Sequence, residues 1–311
     1  MFLERGLTLP GGREITPIIH ARQDRLDDLV DIAEQFARDG HVLVRDIASR
    51  QEIADYRPII KAVVENKSDD PQGRIDDYSK LFTQVTNVWR LSEEAREIVF
   101  SRHFASVAAQ LLRVPSVRLY HDQALFKPPG AGRTPWHQDR YYWPLETDRS
   151  VTMWMPLVDV DEEMGPIAFA SGSHRAEDLD DLLISDETDR RLAALIAQRH
   201  WRVWSEPVRA GEATFHAGAT LHSAGANRSP KVREILTVIY YANGTRVAPP
   251  SNPNQQVDLE VFLPGARPGD EARSELNPIL LSRRAGEVLP RLGCAFSVAG
   301  DRGPAVMASS V

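Results

Sequence analysis

In the run Trp136-His137-Gln138-Asp139 an imidazole and a carboxylate stand two residues apart. On an extended strand, which rises roughly 3.3 Å per residue and alternates faces, both side chains project to the same side. A metal held there needs a third donor. The leading candidate is His222, in Phe215-His216-Ala217-Gly218-Ala219-Thr220-Leu221-His222-Ser223-Ala224-Gly225, with His216 as its rival. Two histidines and one carboxylate form the facial triad that holds non-haem Fe(II) and leaves positions open for O2 and a co-substrate. His-x-Asp is a common triplet, so it gains meaning only from context. Arg233 supplies that context, because it follows His222 and stands just before the apolar run Ile235 to Tyr241. A guanidinium presents a rigid fork that suits a carboxylate, and an arginine opening a buried strand near a metal reads as a clamp for an organic acid.

Further elements agree in order: Tyr142-Trp143, then Val151-Thr152-Met153-Trp154-Met155-Pro156-Leu157, then Gly165-Pro166 and Ser171-Gly172-Ser173-His174. With His137, Asp139, His222 and Arg233, they make the stretch from about Val117 to Tyr241 resemble the phytanoyl-CoA dioxygenase family of Fe(II)- and 2-oxoglutarate-dependent oxygenases. The resemblance implies that His137, Asp139 and His222 are the iron ligands and the catalytic centre. It also implies that Arg233 pairs with the distal carboxylate of 2-oxoglutarate, and that Gln123 and Trp154 contact this co-substrate. Fe(II), 2-oxoglutarate and O2 are then required. The implied reaction oxidises, most simply hydroxylates, a C–H bond of a small organic molecule and releases succinate and CO2.

The resemblance also separates His222 from His216, since only His222 has Arg233 at the family spacing and the small residues Ser223-Ala224-Gly225 beside it. Relatives often carry a serine two residues after this histidine, where the chain has Ala224. Related iron halogenases replace the carboxylate by a small residue, so Asp139 points to oxygenation. Trp136, Tyr142 and Trp143 read as a substrate-binding aromatic mouth. The alternative reading is a cupin-like, metal-dependent hydrolase or isomerase that shares the triad and has no use for 2-oxoglutarate or for Arg233.

These residues need strands to carry them. The predicted fold is β-rich α+β: a double-stranded β-helix, a jelly-roll or cupin-like core, with flanking N-terminal helices on one sheet. The 311 residues read as a single domain, with a helical part over about 1–115, the core over about 116–245 and a C-terminal extension over 246–311. Asp24 is a candidate N-cap for a helix that Gly40 stops. Ser49 opens a second helix, which Pro58 predicts to start late or kink. A charged loop covers 66–79, and two helices over 90–112 break near Arg102-His103.

From Ser116 the pattern turns to strands. If Gln123 faces the cavity, His121 and Leu125 do so by parity, and Asp122 faces away, so His121-Asp122 makes a poor pair of ligands for one metal. Val151 to Val158, Ile167 to Ala170, His200 to Trp204, Gly211 to His216 and Glu234 to Tyr241 read as further strands, with a helix near Arg190 to Ala197. His174 reads as architectural. In the C-terminal part, Ala272 to Ala285 reads as one amphipathic helix through Leu276, Ile279, Leu280 and Leu281.

Composition sets the outer bounds. A net charge of −7, with no basic block, excludes nucleic-acid and anionic-membrane partners and leaves a small-molecule substrate. Oligomeric state is not legible. Cys294, the single cysteine, excludes a disulfide framework and reads as a buried small hydrophobe. No charged leader with an apolar core opens the chain, and no apolar run approaches the roughly eighteen residues of a membrane span. A cytoplasmic enzyme is the expectation.

Overall fold

The computed structural model describes residues 26–67, 82–176, 179 and 183–282. The expected cap at Asp24, the body of the 66–79 loop and the environment of Cys294 lie outside them. Among the described residues no helix is long and apolar enough to cross a membrane.

Among the described residues, four helices precede most of the strands: α1 (Leu26–Asp39), α2 (Arg50–Lys67), α3 (Glu93–Val99) and α4 (Arg102–Leu111). Gly40, at φ +78°, ends α1, and a Cβ there would meet the His174 ring at 2.4 Å and the Thr220 hydroxyl at 2.6 Å. α2 opens with a reciprocal capping box: the Ser49 backbone N–H donates to Glu52 at 2.6 Å, and the Glu52 N–H to the Ser49 hydroxyl at 3.1 Å. α2 starts at Arg50 and runs on through Pro58, so the late start expected of that proline does not occur. Ile53, Tyr56, Ile60, Val63 and Val64 of this helix enter the core, and that packing carries it past the missing N–H. α3 and α4 break where predicted, each capped by a serine, Ser92 and Ser101.

Among the described residues the larger sheet has seven strands. Its path runs β1 (His41–Val44), β8 (Ala213–Ala217), β5 (Ser150–Pro156), β10 (Arg233–Ala242), β3 (Ser116–Lys127) and β11 (Ile279–Ser282), and β2 (Thr83–Thr86) also pairs with β3. The smaller sheet runs β4 (Thr134–His137), β9 (His222–Ala224), β6 (Ile167–Ala170) and β7 (Val203–Trp204). All the pairings are antiparallel, as a jelly-roll requires.

Side-chain alternation, reset on β3 by a bulge in which the step from Leu119 to Asp122 opposes the shorter step from Tyr240 to Val238 of β10, divides the larger sheet into two faces. Val117, Leu119, Met153, Met155, Phe215, Leu236 and Val238 bury against the four helices, in one cluster with Phe36, Ile53, Ile60 and Phe104. Gln123, Leu125, Thr152, Trp154, His216, Thr237 and Ile239 face a cavity shared with the smaller sheet. Trp154 and Met153 thus point oppositely.

The C-terminal part departs from expectation. No helix forms over 272–282. Instead, Ile279 to Ser282 pair with the edge of β3, where an extended apolar segment satisfies backbone groups that a helix would leave open. The helix lies earlier, as α6 (Pro253–Phe262), capped by Asn252, whose side chain accepts from the Gln255 N–H at 3.0 Å, with Pro253 in its first turn. α5 (Asp186–Gln198) matches the helix predicted between the strands.

Candidate metal centre

His137 ends β4 and stands directly opposite His222, the first residue of β9, so the antiparallel register alone brings the two imidazoles together, with ring centroids 4.0 Å apart. Asp139 does not lie on the strand. Gln138 is still extended, at φ −119° and ψ 136°, and Asp139 opens a 3-10 turn over Asp139–Tyr142. The same-side relation to His137 survives because the bend comes one residue after the parity is set. The turn is pinned by the Arg140 N–H donating to the Gly218 carbonyl at 2.9 Å and by the Gln138 amide donating to the Ala219 carbonyl.

One ligand atom each from His137, Asp139 and His222 lies within 4.8 Å of the others. The donor chemistry fits a divalent metal. His137 Nδ1 meets the Pro135 carbonyl at 2.8 Å and His222 Nδ1 meets the Thr220 carbonyl at 3.0 Å. A carbonyl only accepts, so both Nδ1 atoms carry the proton and both Nε2 lone pairs are left for a metal. Thr220 is itself fixed, its hydroxyl donating to the Gly40 carbonyl at 2.7 Å, so the end of α1 helps to aim His222.

Electrostatics agree with that reading. Burial, and then His216, push the His222 imidazole down to about 4, which keeps it neutral. Burial alone would raise the Asp139 carboxyl, but His222, His216 and His137 together hold it well below the usual carboxylate range. An ionised Asp139 carboxylate beside a neutral His222 suits a divalent metal.

Arg233 is buried at the start of β10 and lines the same cavity. One of its nitrogens donates to the Gly165 carbonyl. Gly165, at φ +77°, leaves no room for a side chain, because a Cβ there would sit 2.5 Å from the Gly225 backbone.

The cavity measures about 880 Å³ out to its open mouth and gathers His137, Asp139, His222, Gln123, Trp154, Arg233, Tyr142 and Trp143. His121 and Leu125 line it too, as parity required. Asp122 faces away and accepts from the Val88 N–H at 2.8 Å. Trp136 departs from the predicted mouth. Next to a cavity-facing His137 it must point to the other side of β4, where it packs with Leu192 and Ile196 of α5.

Several residues of the site escaped sequence reasoning. Gln84 of β2 donates to Gln123 at 2.7 Å, and Gln123 meets His121 Nδ1 at 3.3 Å, so three polar side chains form a row along one wall. Lys127 is fully buried beside Arg233, its register partner, and its ammonium donates to the Gly132 carbonyl at 2.8 Å and to the Thr134 hydroxyl at 3.1 Å. Burial and Arg233 push this lysine down to about 7. The parity that placed His121, Gln123 and Leu125 extends to Lys127, and was the signal available for it. From sequence, His216 reads only as a rival ligand. It lies beside the triad, outside the ligand group.

The phytanoyl-CoA dioxygenase (PhyH) family model matches residues 36–235. A probable alpha-ketoglutarate-dependent hypophosphite dioxygenase of Stutzerimonas stutzeri is 24% identical over 218 residues, which are 65% of this chain and 75% of that protein. Among solved structures, the non-haem alpha-ketoglutarate-dependent carbocyclase SnoK from nogalamycin biosynthesis is 25% identical at a TM-score of 0.68, over 85% of this chain and 98% of its own. The epimerase SnoN, solved with Fe3+, alpha-ketoglutarate and nogalamycin RO, is 25% identical at 0.67, over 82% and 99%. EctD from S. alaskensis, with 2-oxoglutarate and 5-hydroxyectoine, shares the fold at 20% identity and a TM-score of 0.61, over 83% and 91%.

Proposed function

The chain belongs to the phytanoyl-CoA dioxygenase family, and on that footing we propose that His137, Asp139 and His222 hold its iron while Arg233 receives the distal carboxylate of 2-oxoglutarate. The enzyme is a non-haem Fe(II)- and 2-oxoglutarate-dependent dioxygenase. Bound iron with 2-oxoglutarate and O2 supplies the oxidising chemistry, in which the co-substrate leaves as succinate and CO2.

The observation that carries the residue assignment is the joint one. Three metal-ligating atoms lie within 4.8 Å of one another, and the buried guanidinium of Arg233 opens into the same cavity. A hydrolase using this triad would not call for a guanidinium in the cavity, whereas a dicarboxylate co-substrate does. The protein's own residues bind and orient. The two Nδ1 bonds to carbonyls fix the imidazole planes, Arg233 offers a charge-assisted site to a carboxylate, and Trp154 lines the same cavity. The aromatic wall at Tyr142 and Trp143, with Ile239, takes a small organic substrate and excludes water from it. Hydroxylation of a C–H bond is the proposed outcome.

The deciding experiment is anaerobic reconstitution with Fe(II) and 2-oxoglutarate, watched for the weak visible charge-transfer band of the chelate. A band in wild type that weakens in Arg233→Ala supports the assignment. Tight retention of zinc, with no band, would move the protein to the hydrolase or isomerase reading.

A further inference from the structure

The two oxygens of Asp139 have different surroundings. Oδ1 lies 3.6 Å from His222 Nε2, on the side of the ligand group. Oδ2 accepts a hydrogen bond from the Thr152 hydroxyl at 2.7 Å and lies 3.1 Å from His216 Nε2. Thr152 and His216 are register partners across β5 and β8, so one cross-strand pair of the larger sheet reaches over the cavity and closes on a single oxygen atom. The ligand histidines, by contrast, both stand on the smaller sheet.

His216 is built for this contact. Facing a carboxylate oxygen, its Nε2 carries the proton, while its Nδ1 is buried with no hydrogen-bond partner among the described residues. The ring is wedged between Phe169, with centroids 5.2 Å apart, and His222, at 4.4 Å, and it is almost wholly buried. It has one polar task available, and that task is Oδ2.

We propose that Thr152 and His216 are positioning residues that hold Asp139 as a single-oxygen ligand, keeping Oδ2 away from the metal and Oδ1 on it. Two donors occupy the lone pairs of Oδ2. A carboxylate bound through both oxygens would take up a coordination position that 2-oxoglutarate or O2 needs, so the clamp preserves the open face on which a facial triad depends. This inference rests on the assignment of Asp139 as an iron ligand.

Co(II) tests it without turnover, because its visible absorption reports coordination number and its titration reports affinity. Wild type, Asp139→Ala, Thr152→Val, Thr152→Ser, His216→Leu and His216→Gln are titrated anaerobically with Co(II), with and without 2-oxoglutarate. Thr152→Val and His216→Leu are expected to bind Co(II) roughly 10- to 100-fold more weakly, the range for lost partners of metal ligands, and to change the band intensity. Thr152→Ser and His216→Gln, which keep a donor, should restore both. Wild-type affinity and spectrum in Thr152→Val would overturn the clamp, and this nearly isosteric change decides the matter even if His216→Leu does not fold. Equal loss of apo-protein melting temperature in the Val and Ser variants, with unchanged Co(II) spectra, would also overturn it. If Asp139→Ala binds Co(II) as wild type does, the ligand assignment itself falls, an outcome distinct from failure of the clamp.

Discussion

At the metal end of the cavity the donor side chains are aimed by hydrogen bonds: His137 by Pro135, His222 by Thr220, Asp139 by Thr152 and His216. The far wall is closed mainly by rings resting on rings. Phe262 of α6 stacks on His121 with centroids 4.1 Å apart, and Tyr120 packs against both Phe262, at 5.8 Å, and Trp143, at 5.5 Å. Hydrogen bonds are directional and fix angles, whereas apolar packing fixes volume and tolerates volume-conserving exchange. One end therefore holds directed polar groups, and the other a packed apolar volume. The family match stops at residue 235, before α6 begins, so it covers the first end and only part of the second.

The strongest way to break the comparison is at the metal end. Asp139→Ala should abolish substrate oxidation and Fe(II) retention while the protein still folds, since the variant removes a carboxylate held in place at the cost of burial. Metal analysis together with a succinate assay checks this, and full activity in the variant would remove the ligand assignment. Next in size is Arg233→Ala. A charge-assisted hydrogen bond contributes about 1.5–3 kcal/mol, so the KM for 2-oxoglutarate should rise roughly 10- to 100-fold. The KM for the primary substrate should stay put, and an unchanged dependence on 2-oxoglutarate would count against the clamp.

The two ends were also unequally legible. His137 and Asp139 stand out by residue type and spacing because metal ligation restricts the choice of residue, whereas the preference for His222 over His216 and the role given to Arg233 came with the family resemblance. Parity on β3 then carried His121, Gln123 and Leu125 into the cavity with one assumption. Parity applied to β4 would also have turned Trp136 outward, and its aromatic neighbours Tyr142 and Trp143 misled on that point. The far wall was hidden for a different reason. Along α6 the apolar Val257 and Val261 are exposed while Asp258 is buried and accepts from the Tyr120 hydroxyl at 3.2 Å, so hydrophobic periodicity reads the wrong face. Asn252-Pro253 was the usable signal there, a cap followed by a first-turn proline. β11 was lost because a short apolar run suits either helix or strand, and only the open edge of β3 decides between them.

β3 separates the two environments within one strand, and a pH experiment sharpens the contrast. Burial pushes the Asp122 carboxyl up to about 7, against the backbone N–H groups of Trp89 and Val88, which favour its ionised form. Its folded value lies above its unfolded one, so its stabilising contribution is complete below about pH 4 and is lost as pH rises toward 7. Asp122→Asn keeps an acceptor for the Val88 N–H and removes the titration. Urea unfolding of both proteins at pH 5 and pH 8 should show the variant gaining on wild type as pH rises. A stability difference that does not change with pH would rule Asp122 out as its source. 2-Oxoglutarate binding should be the same in both, because Asp122 faces the helices and not the cavity.

The smallest effect probes the far wall itself. Phe262→Leu keeps most of the apolar volume and removes the ring that lies on His121, so the loss should be close to the worth of one aromatic pair, about 1 kcal/mol. Urea unfolding measures it. The kinetic consequence is the informative one: His121 lines the cavity and Phe262 backs it, so a displaced imidazole should alter the KM for the primary substrate while Fe(II) and 2-oxoglutarate affinities hold. The route by which the two ends could communicate is visible in the fold. Asn252 and Gln255 of the α6 cap donate to the Tyr141 carbonyl at 3.1 and 3.2 Å, and Tyr141 belongs to the turn that Asp139 opens. Metal affinity that moved together with the substrate KM in Phe262→Leu would mean that α6 steadies the ligand turn through those bonds, and the far wall would then belong to the metal end as well.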